Sequence, residues 1–266
     1  MATTSQNTTV YVVTGANRGI GLGLVGSLLA RPNTTVIGTV RSPQAHKQLN
    51  DAAVSLPKGA GSTLYIAQVD YSSVPDAATI RKSINDATGG SITHVDVLIC
   101  NAGFTDELSP VLETTAAQMR EHFDVNTTGP LMTFQAAYPL MRKEVRPAHA
   151  ATPAKFILIS SSVGSIGMME PLPGGAYGPS KAAANWLAKA IHAQCADEGL
   201  VSVAVHPGFI PTGMGQRACE SWKLPIGVAA DTVEGSVESL LEMIDGATRD
   251  GVSGKFITQK GEELAW

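Results

Sequence analysis

Val10-Tyr11-Val12-Val13-Thr14-Gly15-Ala16-Asn17-Arg18-Gly19-Ile20-Gly21 decides how this chain is read. Four consecutive apolar residues form a strand covered on both faces, and the run stops at Thr14-Gly15. Past it, Ile20, Leu24, Val25, Leu28 and Leu29 return on one face of a helix. Glycines 15, 19 and 21 lie between the two, where they let the backbone turn sharply and a ligand approach closely. A pyrophosphate in such a loop meets unpaired N–H groups and the positive end of the helix dipole. No Gly-Lys-Ser/Thr follows, so the loop is not that of a nucleotide triphosphatase. The spacing T-G-x-x-x-G-x-G also differs from G-x-G-x-x-G.

The same alternation continues outward. Further strands are expected at Thr35–Val40, Leu64–Val69, Val95–Cys100, Lys155–Ser160, Val201–Val205 and Gly254–Ile257. Between them helical patterns cover 43–54, 76–88, about 114–124, 127–143, 178–198 and 231–245. Continuously apolar strands alternating with helices predict an α/β protein with a parallel sheet covered on both faces. The expected architecture is a single doubly wound Rossmann domain with seven parallel strands. It spans 10–266 behind a polar tail at 1–9. In such a fold, ligands bind beyond the carboxyl ends of the strands.

Composition narrows the class. Hydrophobic residues make up 44% of the 266 and charged residues 16%, too apolar a balance for a disordered chain. Net charge is −4, which gives no basic footprint for nucleic acid or acidic membranes. No apolar run approaches a membrane span. The three cysteines (100, 195, 219) form no CxxC pair and suit a reducing interior. The histidines (46, 94, 122, 149, 192, 206) show no metal spacing, so no metal is expected. Tyr177 and Lys181 are four apart, hence on one helical face. An ammonium there should lower a phenol whose ordinary pKa is about 10 and ready it for proton exchange.

The glycine loop, Asn101-Ala102-Gly103, Ser160-Ser161, Tyr177-Gly178-Pro179-Ser180-Lys181, Pro207-Gly208 and Thr212 fall in one order along the chain. Together they resemble the short-chain dehydrogenase/reductase family. The closing segment, with Gly254-Lys255-Phe256 and Trp266, looks most like the branch of norsolorinic-acid ketoreductase-like and sniffer-like carbonyl reductases. The resemblance implies a catalytic set of Tyr177, Lys181, Ser161 and Asn126, with Ser162 adjoining the carbonyl-orienting serine. Asn126 would hold a water linking Lys181 to solvent. A dinucleotide would be held by Gly15, Asn17, Arg18, Gly19, Ile20, Gly21, Asn101, Ala102, Gly103, Tyr177, Lys181, Pro207, Gly208, Ile210 and Thr212. Asp70 would take the adenine amino group, or else cap a helix, and Tyr71 would border the ring.

The family's NAD-preferring members place an acid at the end of the second strand. Here Val40 stands there, followed by Arg41, and Arg18 lies in the glycine loop. Two guanidiniums suit a 2′-phosphate, so NADP(H) is the expected cofactor. The implied activity is hydride transfer to a hydrophobic ketone, aromatic or polyketide-like, in a cytoplasmic protein. Alternatives are an alcohol dehydrogenase, an imine or ring reductase, a non-redox enzyme, or an NADP(H)-binding sensor. Candidate substrate walls are Phe104, Met168, Phe209, Met214 and Trp222, with Met169, Glu170, Pro171 and Leu172 nearby; the 209–226 loop reads as a lid. The family's habit of forming dimers or tetramers points to a face near Leu131, Phe134, Trp186 and Leu187, which would otherwise belong to the core.

Overall fold

The computed structural model describes residues 8–147, 150, 152–225 and 231–266. His149 and all of the N-terminal tail except Thr8 and Thr9 lie outside the described residues. The strands are β1 (Thr9–Thr14), β2 (Thr34–Val40), β3 (Thr63–Gln68), β4 (Val97–Cys100), β5 (Lys155–Ile159), β6 (Val201–His206), β7 (Phe256–Thr258) and β8 (Glu263–Leu264). They form one sheet in the order β3-β2-β1-β4-β5-β6-β7-β8. The first seven run parallel, while β8 returns antiparallel to β7. Among the described residues eight strands therefore replace the expected seven. The added strand is two residues long, too short to carry a periodicity.

The helices are α1 (Gly19–Leu29), α2 (Pro43–Ala53), α3 (Ala77–Thr88), α4 (Ala116–Phe123), α5 (Gly129–Met141), α6 (Tyr177–Gln194), α7 (Gly213–Trp222) and α8 (Val233–Gly246). A π-helical turn, Asp124–Thr128, joins α4 to α5, so the two expected helices run together. The segment from 213 to 222, expected as loop, is helical. Residues 95 and 96 precede β4 rather than belonging to it, and Gly254 (φ 76°) precedes β7.

Period-two alternation divides β1 between two cores. Tyr11 and Val13 face a core built with α1, α2 and α8. Val10 and Val12 face a second core built with α3, α5 and α6. Phe134 belongs to that second core, whereas Trp186 is 67% exposed. The chain reverses winding at β1 and β4, so the loops after β1, β4, β5 and β6 converge at one end of the sheet.

The opposite end is tied by a buried charge. Asp96 accepts the Val10 N–H at 2.8 Å and an Arg146 N–H at 2.6 Å, and lies 3.2 Å from His94 Nε2. Burial alone would raise this carboxyl. The nearby His94, with hydrogen bonds from Arg146 and Val10, outweighs it and holds the group below its usual range. A carboxylate lowered in the folded state stabilises fully above its unfolded value of about 3.9, and that contribution fades as pH falls below it. Asp96→Asn should lower stability by about 3 kcal/mol at neutral pH and flatten the acid limb of the stability curve. Urea titrations of both proteins across acid pH check this; equal curves would refute it.

Candidate active site

The glycine loop is built around close backbone approach. Gly15 and Gly19 have φ of 67° and 53°. A Cβ on Gly21 would lie 2.2 Å from the Gly15 carbonyl oxygen. The Asn101-Ala102-Gly103 loop braces it from behind: Asn101 Nδ2 donates to the Thr14 and Gly15 carbonyls at 2.9 and 3.3 Å, and Ala102 N–H donates to Thr14 Oγ1 at 2.8 Å. Asn17 is turned to Gln48, donating at 3.0 Å. No side chain caps α1, and no acid stands in its first turn. Its positive end thus faces outward with no anion of its own, which fits a pyrophosphate.

Around this loop, Arg18 and Arg41 are exposed while Val40, at the end of β2, is buried. Asp70 caps the short 3₁₀ turn Tyr71–Ser73, accepting from Ser72 N–H at 3.0 Å. That supports the capping alternative and leaves the exposed carboxylate at the carboxyl end of β3. The structure corrects the place of the Tyr71 ring. It is buried in the core, its hydroxyl 2.7 Å from Thr133 Oγ1, and is not free to border an adenine. Burial pushes that phenol well up.

Tyr177 opens α6, with Pro179 tolerated in its first turn. The Ser161 side chain lies near enough to the Tyr177 phenol to favour its ionised form, whereas the backbone N–H of Ser162 donates to His206 Nδ1 at 3.2 Å. Ser161 is therefore the serine beside the phenol. Lys181 Nζ is buried, donates to the Ile159 carbonyl at 2.9 Å, and lies 5.7 Å from the Tyr177 ring centre. Burial pushes the phenol up to about 12 and the lysine down to about 8. The expected lowering of Tyr177 by its cation is thus not found: burial dominates and pushes the phenol up, and only the Ser161 side chain opposes it.

Asn126 sits fully buried in the π turn, a distortion frequent at functional sites. Its Oδ1 accepts the Phe104 N–H at 2.8 Å. Its Nδ2 donates to the Phe104 carbonyl at 2.9 Å and to Ser180 Oγ at 3.0 Å. Ser180 Oγ in turn donates to the Tyr177 carbonyl at 2.7 Å. Asn126 thus locks the loop after β4 to the start of α6. A Cβ on Gly103 would lie 3.5 Å from Asn126 Oδ1 and 3.6 Å from Lys181 Nζ, so glycine there leaves a slot between amide and ammonium.

Phe209, Met214 and Trp222 gather with Leu108, Val163 and Ala218 against Tyr177. Helix α7 carries three of these. Thr212 caps it through Gly215 N–H at 3.4 Å, and its methyl would lie 3.6 Å from a Cβ on Gly19, so the helix begins against the glycine loop. Ile210 is buried, and Gly208 takes a φ of 96° where Asp231 Oδ2 would meet any Cβ at 2.5 Å. Pro207 accepts Ser236 Oγ through its carbonyl at 2.6 Å. Phe104 packs on buried His122, ring centres 4.9 Å apart. Met168 departs from expectation. It is 49% exposed on the loop after β5 and outside the Tyr177 cluster, as are Met169 and Glu170 on the exposed run that follows it. Leu108, Val163, Ser180 and Asp231 join the site as well; of these only Ser180, inside the Tyr-x-x-x-Lys stretch, carries a sequence signal. Cys100 is a buried core residue, and burial pushes its thiol well up. Among the described residues no three His, Cys, Asp or Glu side chains converge as metal ligands.

The sequence pattern of the short chain dehydrogenase family matches residues 9–222. This chain belongs to that family. A norsolorinic acid ketoreductase of Dothistroma septosporum is 35% identical over 97% of this chain and 92% of the relative. An NADPH-bound carbonyl reductase from chicken fatty liver superposes with a TM-score of 0.79 at 30% identity, covering 97% of this chain and 99% of that one. The Drosophila carbonyl reductase Sniffer also reaches a TM-score of 0.79, at 25% identity over 98% of this chain and 100% of its own. The chain is thus an oxidoreductase of the short-chain type, within the ketoreductase and carbonyl reductase branch. Among the described residues no helix is long and apolar enough to cross a membrane. Gly21→Ala should abolish dinucleotide binding in this dehydrogenase, because its methyl meets the Gly15 carbonyl. Calorimetric titration with NADPH checks this, and wild-type affinity would contradict it.

Proposed function

We propose that this short-chain dehydrogenase reduces a hydrophobic ketone with NADPH, Tyr177 delivering the proton. The observation that carries the reading is the Tyr177 hydroxyl itself. It stands beside Ser161, over a buried lysine, at the floor of an apolar cluster. Burial keeps that phenol protonated across neutral pH, which suits an acid in reduction better than a base in oxidation.

Support for NADP(H) comes from charge. Val40 offers no carboxylate to repel a 2′-phosphate, and exposed Arg41 and Arg18 offer guanidiniums to receive one. Gly15, Gly19 and the open end of α1 would hold the pyrophosphate; Lys181, Ile210 and Thr212 would hold the nicotinamide half. When bound, NADPH supplies the hydride. The remaining work falls to the chain. Ser161 and Tyr177 donate hydrogen bonds to the carbonyl oxygen, orienting and polarising it. As negative charge gathers on that oxygen, the Tyr177 proton passes to it. Lys181 stabilises the phenolate left behind, and Asn126 keeps the floor of the site in register. Phe209, Trp222 and Leu108 exclude water from the reacting oxygen and favour an apolar, flat substrate.

NADPH absorbance should fall when the protein is mixed with 2-acetonaphthalene, and Tyr177→Phe should cut the rate about a thousandfold while NADPH still binds. Near-normal turnover in that variant would refute the role of the phenol. Arg41→Ala should shift the ratio of kcat/KM for NADPH over NADH toward NADH by about tenfold. An unchanged ratio would remove the arginine from the cofactor assignment.

A further inference from the structure

Tyr177 has a second partner. Its hydroxyl donates to the thioether sulfur of Met214 across 3.6 Å. A thioether is a weak acceptor, so the bond is readily exchanged. The methyl of the same side chain reaches the slot beside Gly103, where a Cβ would lie 3.7 Å from Met214 Cε and 3.6 Å from Lys181 Nζ. Met214 therefore lies from the phenol to the space above the ammonium. A carbonyl oxygen that receives the Tyr177 proton has to accept the same O–H, and one hydroxyl has only one hydrogen to give.

The helix that carries Met214 is latched at three points. Arg217 donates to the Thr105 carbonyl at 2.8 Å, Trp222 Nε1 donates to the Pro173 carbonyl at 2.8 Å, and Ser221 Oγ accepts the Leu108 N–H at 3.2 Å. Its first turn is packed so closely that a Cβ on Gly215 would lie 2.0 Å from the Ile210 carbonyl oxygen. The part left free to move is the side chain, which is unbranched and has three rotatable bonds.

We propose that Met214 is a gate on Tyr177, a specificity-determining residue that occupies the phenol's hydrogen in the resting protein and swings aside when a ketone enters. This rests on the reading of Tyr177 as the proton donor. A ketone then meets a competent site only in the fraction of molecules whose gate is open, and its apparent affinity falls by that fraction. An aryl ketone recovers the loss, because the displaced sulfur packs favourably against an aromatic ring. A saturated ketone recovers nothing. The gate thus selects aromatic over aliphatic ketones by KM, leaving the chemical step alone.

The test compares wild type, Met214→Ala and Met214→Leu with cyclohexanone and 2-acetonaphthalene. Steady-state KM and kcat are measured with NADPH, and Kd is measured by calorimetry with NADP+ present and no turnover. Met214→Ala should lower Kd and KM for cyclohexanone about tenfold, change those for 2-acetonaphthalene about twofold or less, and hold kcat within about threefold. Met214→Leu keeps the bulk without the acceptor and should lower the cyclohexanone values about threefold; it also serves if the alanine variant folds poorly. Cyclohexanone values that stay equal or rise in both variants overturn the gate, even where both ketones are reduced. A fall in Kd with no reduction of either ketone by any of the proteins leaves the gate standing and overturns the proton-donor reading.

Discussion

Everything at the carboxyl end of the sheet is arranged around one buried amine. Lys181 Nζ sits out of water with the Ile159 carbonyl as its hydrogen-bond partner, and burial pulls its pKa down to about 8. The same burial lifts the phenol above it to about 12. The two groups are held on one helical face, 5.7 Å from ring centre to nitrogen. At neutral pH the phenol therefore stays protonated, while the amine still carries its charge for most of the time. A site in this state spends little of its time as a phenolate, and the charge already on Lys181 stands ready to stabilise one when the proton leaves.

That arrangement needs a rigid floor, and the floor is assembled from separated parts of the chain. β5 supplies the carbonyl beneath Lys181. α6 supplies Tyr177, Ser180 and Lys181. The π turn aims Asn126 inward, where one amide grips both backbone groups of Phe104 and reaches Ser180. A fully buried amide bonded at both its oxygen and its nitrogen is costly to misplace, which fixes the loop after β4 relative to α6. The glycine loop is fixed by Asn101 in the same way. The glycine loop and Tyr177 are thus both referred to one short strand, β4.

Much of this was legible in the sequence because short-range signals carried it. Alternating apolar strands and helices gave the doubly wound sheet, and Gly15, Gly19 and Gly21 gave the loop through backbone demands that act locally. Tyr177 and Lys181 were readable from helical spacing. What escaped depends on tertiary burial. Helix α7 contains Gly213 and Gly215, which read as loop; the Thr212 cap and the burial of Ala218 and Cys219 override that propensity. The Tyr71 ring turns inward against Gly129, where any Cβ would meet that ring at 2.9 Å. The sign of the Tyr177 shift was missed because spacing reveals the neighbouring charge and hides the desolvation. Met168 fell outside the cluster because the run after β5 is drawn toward the chain's end: Gly167 N–H donates to the Trp266 carbonyl at 2.7 Å.

The most direct measurement is the titration of Lys181 in the ligand-free protein. Lysine labelled with ¹³C at Cε gives one resonance per residue, and Lys181→Arg assigns the one that matters. A midpoint near 8 is the expected result. A midpoint near the ordinary lysine value of about 10.4 would mean that water reaches the amine, and the buried pair on which the site depends would not exist.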